Sequence, residues 1–372
     1  MEQPNNSRYF DYAASSPPWP EAIDAYTRNV RLYYANPSSQ HTPGKAAKQR
    51  LLALKKEFCD MIRYFDGRLL LCASGTEANN TIIDGHMNMF PKGKLLIAED
   101  VHESIWYAVE KYKKAVETIK IDHSGQLSVD QLEKALNNKP TLVCISHVCN
   151  ETGVIHPVKE IADLCFSKQT RILIDGAQSV GHVPLHFDDV PFTYYSFSGH
   201  KFGSVKSTGG VLVRDDQFLP MLKGGKQEWG LRAGTEDVAG LAAMVAALKM
   251  SIEHWDVEKD QLKMLKQLVI DKLIKIPGLV VNSPKSSSLP GLLSLSVPGY
   301  SGREIVGALA LSGYAISTGS ACHENELAPS RIMLAMGRTE EEAIGSIRIS
   351  MGPGTTGEAV DGLVKALLEL IK

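Results

Sequence analysis

The sequence is short of several features, and each shortage removes a class of function. Its 372 residues include only six cysteines, and no two form a CxxC pair. Neither a zinc site nor a disulfide framework is therefore indicated. No apolar run approaches the roughly 20 residues that span a bilayer. The net charge is −2, so no global basic field points to nucleic acid. The opening "MEQPNNSRYF" has neither a basic start nor an apolar core of a signal peptide, and the expected location is the cytoplasm. No GxGxxG follows the first apolar run, which argues against a nicotinamide-binding Rossmann protein. Internal repeats and low-complexity tracts are also missing.

What is present is alternation. From about Lys45 to about Met250, short apolar runs exchange with helical patterns: "RLLLCAS" then "GTEANNTIIDGHMNMF", "KLLIAED" then "HESIWYAVEKYKKA", "TLVCISHV" then "PVKEIADLCFSKQ", followed by "RILIDGA" and "YYSFS". Strands alternating with helices predict an α/β fold with a mainly parallel sheet covered on both faces. Around Ser251 to Lys275 the pattern becomes one long charged amphipathic helix, which carries the chain into a second region. "GLLSLSVP", a helix from about Gly302 and "SIRISMG" then predict a smaller α+β domain. The expected division is residues 15–250 for the large domain, with 1–14 and 251–372 forming the small one. The opening segment reaches both. Five cysteines, Cys59, Cys72, Cys144, Cys149 and Cys165, sit in apolar contexts and read as small buried hydrophobes. Cys322 lies instead in the polar stretch "STGSACHENELAPS", where a thiol is open to chemistry.

Ligands of open α/β sheets bind at the carboxyl ends of the strands. Ser74-Gly75-Thr76-Glu77 opens a helix there, either as an anion seat or as an ordinary turn with a Thr cap. His102 and Asn150 follow the next two strands; each, taken singly, reads as structural. Asp175 directly follows the apolar "RILI", and burying it needs a cation or donors. Ser198, His200 and Lys201 end the series. Few ligands satisfy the whole set. A phosphate needs the helix start, with Ser198 and His200 as further donors. An aromatic ring takes His102 as a flat partner, its protonated nitrogen takes Asp175, and its hydroxyl takes Gln178. An aldehyde needs the amine of Lys201. That ligand is pyridoxal 5′-phosphate.

These segments in this order resemble class V of the fold-type I pyridoxal-phosphate enzymes, and within it the NifS/IscS-type cysteine desulfurases. The resemblance covers nearly the whole chain. It is carried by "YFDYAASSP", "NPSSQHTPGKAA", "SGTEANN", "HVCNETGVIHP", "LIDGAQSVGH", "SFSGHKF", "LRAGTEDVAG", "STGSACHENELAPSRIMLAMG" and "SIRISMG". It implies a seven-stranded sheet in the large domain. It also implies that Lys201 binds the cofactor covalently, Asp175 pairs with the ring nitrogen, Gln178 touches the ring hydroxyl, and His102 stacks on the ring and helps move protons. Gly75, Thr76, Ser198 and His200 would hold the phosphate, with Asn150 also at the cofactor. Asn36, Asn150 and Arg348 would fix the substrate carboxylate. Thr235 would reach the phosphate of a second subunit, which implies a homodimer with shared sites.

Cys322 would take sulfur from L-cysteine as a persulfide, leaving alanine, and pass it to an acceptor protein for iron–sulfur cluster assembly or tRNA thiolation. No metal, nucleic-acid or membrane partner is implied. The alternatives are a selenocysteine lyase, another class-V aminotransferase or lyase with Cys322 a bystander, or a non-catalytic sulfur-relay scaffold. The sequence departs from the family at Trp229, where an arginine is common.

Overall fold

The computed structural model describes residues 8–319 and 328–371. Two helices, α1 (Pro20–Leu32) and α2 (Thr42–Met61), precede the first strand, β1 (Arg68–Cys72). There follow α3 (Gly75–Met89), β2 (Leu95–Ala98), α4 (Glu103–Glu110), β3 (Val116–Ile119), α5 (Val129–Leu136), β4 (Leu142–Ser146), α6 (Val158–Ser167), β5 (Arg171–Asp175), β6 (Tyr194–Ser198) and β7 (Gly209–Val213). The seven strands form one sheet in the order β1-β7-β6-β5-β4-β2-β3. Neighbouring pairs from β3 through β6 are parallel, whereas β7 runs antiparallel to both β1 and β6. The mainly parallel seven-stranded sheet is as expected. β4, β6 and β7 are buried along their whole length, which is why their sequences are apolar runs without alternation. Between β1 and β7, the elements β3 and α5 lie outside the expected pattern. β3 is the edge strand, and its "VETI" is half exposed, so it carries no buried-strand signal.

The long helix also differs from expectation. α7 runs over Val238–Leu273, 36 residues, and so begins well before Ser251. Its first part, Val238 to Leu248, is buried almost continuously in the core over the sheet, so it shows no polar face in the sequence. Asp237 caps it by accepting from the Gly240 N–H at 2.8 Å. Its last turns place Leu265, Val269 and Leu273 in a second core with Phe10 and the closing helix. That core is built on a smaller antiparallel sheet, ordered β10-β11-β9-β8. Its strands are β8 (Val280–Val281), β9 (Leu292–Ser296), β10 (Ser317–Thr318) and β11 (Ser346–Ser350); its helices are α8 (Gly302–Leu311), α9 (Arg331–Ala335), α10 (Glu340–Ile344) and α11 (Gly357–Leu370).

The N-terminal segment joins the two parts. Tyr9 and Asp11 make single bridges to Ala315 and Ser350 beside the small sheet. A few residues on, the Ser16 N–H donates to the His200 carbonyl at 2.9 Å, at the end of β6. Of the five cysteines expected to be buried, four are; Cys59 is half-buried. Cys322 lies outside the described residues. None of the described helices is long and apolar enough to cross a membrane.

Candidate active site

The carboxyl ends of β1, β2, β4, β5 and β6 converge on one cavity of about 350 Å³. Gly75, Thr76, His102, Asn150, Asp175, Gln178, Ser198, His200 and Lys201 all line it. Arg348 enters from β11 of the small sheet, so the cavity lies between the two parts of the molecule. Asn36 and Thr235 do not line it. Asn36 is exposed and accepts the Ser38 N–H at 2.9 Å; Thr235 is exposed as well. Gly319 and Pro329, described residues on either side of Cys322, are part of the cavity wall.

The α3 start is capped by Ser74 rather than by Thr76: the Ser74 Oγ accepts from the Glu77 N–H at 3.1 Å, and its carbonyl from the Ala78 N–H. A helix opens with four N–H groups that lack partners inside it. The Ser74 hydroxyl meets that of Glu77, and those of Gly75 and Thr76 remain for an anion, aided by the helix dipole. His200 contributes a neutral ring beside them. Burial, and then the nearby Lys201 charge, push its pKa down to about 4, and its Nδ1 lies 3.2 Å from the Ser15 Oγ.

Asp175 is only 5% exposed. Its Oδ1 accepts from the Ala177 N–H and its Oδ2 from the Asn79 Nδ2, each at 2.9 Å. Two donors and an apolar strand behind them hold an anion in place for a cationic partner. The next residue must be glycine: a Cβ on Gly176 would sit 2.0 Å from the Tyr195 ring. Gly199, before His200, is constrained the same way by Thr208 Oγ1 at 2.3 Å. The Lys201 Nζ donates to the Ala13 and Ala14 carbonyls at 2.7 and 2.9 Å, and Gln178 Nε2 shares the Ala13 carbonyl at 2.7 Å. The N-terminal segment therefore sets the position of the amine.

Opposite, Arg348 is 3% exposed. Its Nη1 donates to the Asn150 carbonyl at 2.9 Å and its Nη2 to Asp11 Oδ1 at 3.1 Å, while its buried Nε has no partner among the described residues. A buried cation with an unmet donor is suited to a carboxylate.

Three site residues escaped the sequence reading. Asn79, fully buried on α3, holds Asp175. Ser104 lies between Asn79 and His102, 2.8 Å from the one and 2.9 Å from the other. Glu151 lines the cavity and accepts from the Ser330 Oγ at 2.6 Å. Burial raises its pKa above the usual range. Asn79 had a usable signal, an amide on the same helix face as Ala78, Ile82 and Ile83; Ser104 and Glu151 had none in a single sequence. Trp229 takes no part in the cavity. Its exposed ring rests against the Lys55 Nζ at 4.5 Å.

The model of the aminotransferase class-V family matches residues 8–363. The chain belongs to the class-V aminotransferase family. Among relatives, it is 32% identical to cysteine desulfurase IscS of Dictyoglomus turgidum, over 98% of this chain and 94% of the relative. Among solved structures, it resembles a NifS-like protein with a TM-score of 0.90 at 26% identity, covering 97% and 98% of the two chains. A NifS-like protein from Rickettsia africae follows, with a TM-score of 0.88 at 25% identity, covering 98% and 99%. Class-V enzymes are pyridoxal-phosphate enzymes, and the cavity fits that cofactor. It offers a helix start for the phosphate, a doubly hydrogen-bonded buried carboxylate for the ring nitrogen, and an amine for the aldehyde.

Proposed function

We propose that this class-V enzyme is a cysteine desulfurase that moves the sulfur of L-cysteine to Cys322. One observation supports this most strongly. A single cavity joins a pyridoxal-phosphate site to an Arg348 donor that is unmet among the described residues, and its wall includes Gly319 and Pro329, which lie on either side of Cys322 in the chain. When bound, the cofactor supplies an electron sink for charge developing at the substrate Cα.

The chain's own residues do the rest. Arg348 binds the substrate carboxylate through Nε and its fork, with the Asn150 side chain alongside. Asn36 is assigned to the same carboxylate on the resemblance alone. Asp175 keeps the cofactor's ring nitrogen protonated. Gln178, already tied to Ala13, orients the ring hydroxyl. The Lys201 Nζ removes the proton from Cα and returns it. His102 covers the ring face. The helix start at Gly75 and Thr76, with Ser198 and His200, holds the phosphate, and Thr235 completes it from a second subunit of a homodimer. The Cys322 thiolate attacks the substrate sulfur. The new S–S bond forms as the Cβ–S bond breaks, the bonding pair stays with Cβ, and Cβ takes up a proton equivalent to the one that the Cys322 thiol gave up, so alanine leaves and a persulfide stays on Cys322 for an acceptor protein thiol. The compartment we assign is the cytoplasm, and the acceptor serves iron–sulfur cluster assembly or tRNA thiolation.

Incubation with L-cysteine and a thiol reductant tests this. Alanine and sulfide should appear in equal amounts without any keto acid. Alanine formation that requires a keto acid would make the chain a transaminase instead.

A further inference from the structure

The hydrogen bonds behind the cofactor site run in one direction, and the chemistry of each group forces that direction. Asp175 Oδ2 belongs to a carboxylate that already accepts the Ala177 N–H on its other oxygen, and it receives one hydrogen of Asn79 Nδ2 at 2.9 Å. The second hydrogen of that nitrogen goes to the Ser104 Oγ at 2.8 Å. Asp175 can only accept, which fixes the orientation of the amide, and the Asn79 Oδ1 then accepts from the Ser196 Oγ at 2.6 Å. Ser104 therefore accepts from Asn79, and its own hydrogen is free for the His102 Nδ1 at 2.9 Å. The Ser104 backbone N–H, which can only donate, meets the same Nδ1 at 3.1 Å. A ring nitrogen that receives two donors carries a lone pair.

We infer that Asn79 and Ser104 are positioning residues that fix His102 as a neutral imidazole with its proton on Nε2, so that the ring presents a donor, not a base, to a ligand in the cavity. This rests on the reading of the cavity as a pyridoxal-phosphate site for cysteine. It goes beyond that reading by dividing the proton work. With Nδ1 committed to Ser104, removal of the Cα proton falls to Lys201 alone, and His102 acts by donating from Nε2 to the bound substrate. The charged groups facing the ring are Asp175 from β5, Lys201 after β6, Glu103 on α4 and Arg348 from β11. Burial is the largest influence and favours the neutral ring; Lys201 and Arg348 add to it, against Asp175 and Glu103.

The test is nitrogen-15 NMR of histidine-labelled full-length protein with cofactor bound and no cysteine added, with His102 assigned by its loss in His102→Gln. The expected spectrum shows an unprotonated Nδ1 and a protonated Nε2 from about pH 6 to pH 8. Ser104→Ala removes a donor that stabilises only the neutral ring, so the His102 titration midpoint should rise and turnover fall about fivefold to tenfold. Ser104→Thr keeps the hydroxyl and should restore the midpoint. A proton on Nδ1, a cationic ring at pH 7, or an unmoved midpoint in a folded Ser104→Ala overturns the inference. If Ser104→Ala does not fold, the wild-type spectrum decides alone. The expected spectrum from a protein that releases no sulfide overturns the desulfurase reading and leaves this one standing.

Discussion

Arg348 carries a full charge in a place where water barely reaches, and its partners among the described residues leave Nε unmet. A lysine there keeps the charge but loses the planar fork that grips a carboxylate. Arg348→Lys should raise the KM for cysteine by about tenfold to a hundredfold, the worth of a charge-assisted hydrogen bond, with a smaller effect on kcat. Steady-state kinetics read this directly; an unchanged KM would remove Arg348 from the substrate site. Cys322→Ala should still bind the cofactor and cysteine yet release almost no sulfide. Wild-type sulfide release by that variant would make Cys322 a bystander. Two further side chains govern stability. Burial pushes the pKa of His86 down to about 4 and that of His147 to about 3, from an ordinary 6.5. Their folded values are depressed, so the unfolded chain binds more protons. The stability they provide is complete above about pH 6.5 and is lost as pH falls toward the folded values. Urea unfolding should therefore show the wild type weakening from pH 7 to pH 5, and less so in His86→Gln. Identical slopes in the two proteins would contradict the assignment. At this scale the sequence disclosed the residues at strand ends, because a charge after an apolar run needs a reason. It concealed Ser104 and Glu151, whose roles depend on partners distant in sequence.

Strand ends and helix starts turn those residues into a site. β1 ends at Cys72, and Ser74 then closes the first turn of α3, leaving the Gly75 and Thr76 N–H groups for an anion. Ser74→Ala should cost about 1 kcal/mol as a lost cap. It should also weaken cofactor binding, because the helix start frays where the phosphate sits. Urea denaturation should show a lower midpoint at unchanged slope, and dialysis a faster loss of cofactor colour. Loss of stability with full cofactor retention would separate the cap from the anion seat. The element reading from sequence succeeded where burial leaves a periodic trace, as in β4, β5 and β6. It failed at β3, a half-exposed edge strand, and at the start of α7, where burial on all sides erases the polar face. The expected division at residues 250 and 251 falls inside that unbroken helix, which feeds side chains into both cores.

At the scale of the whole molecule, the cavity as one chain builds it lacks two of the residues assigned to it. Asn36 and Thr235 are exposed, and neither lines the wall. Thr235 follows Gly234 in a segment where Leu222 and Trp229 are also exposed, and α1 with the turn after it shows Ile23, Val30, Leu32 and Tyr34 to solvent. Scattered exposed apolar residues are ordinary on a monomer, but several large ones, together with an exposed residue assigned to a phosphate, suit a covered face. In the twofold dimer proposed above, each chain would lend Thr235 to the other's site. Two variants test this together. Lys201→Ala loses the amine of its own site. Thr235→Asp places a negative charge against the partner's phosphate. Each homodimer should be inactive. Unfolding and refolding the two together should pair half of the dimers as hybrids, and in each hybrid one site has both Lys201 and Thr235 intact. Activity should therefore return to about a quarter of wild type. Mixed protein that stays inactive while sedimenting as a hybrid dimer would place Thr235 outside the neighbouring site. An active species sedimenting as a monomer would show that one chain completes the site alone.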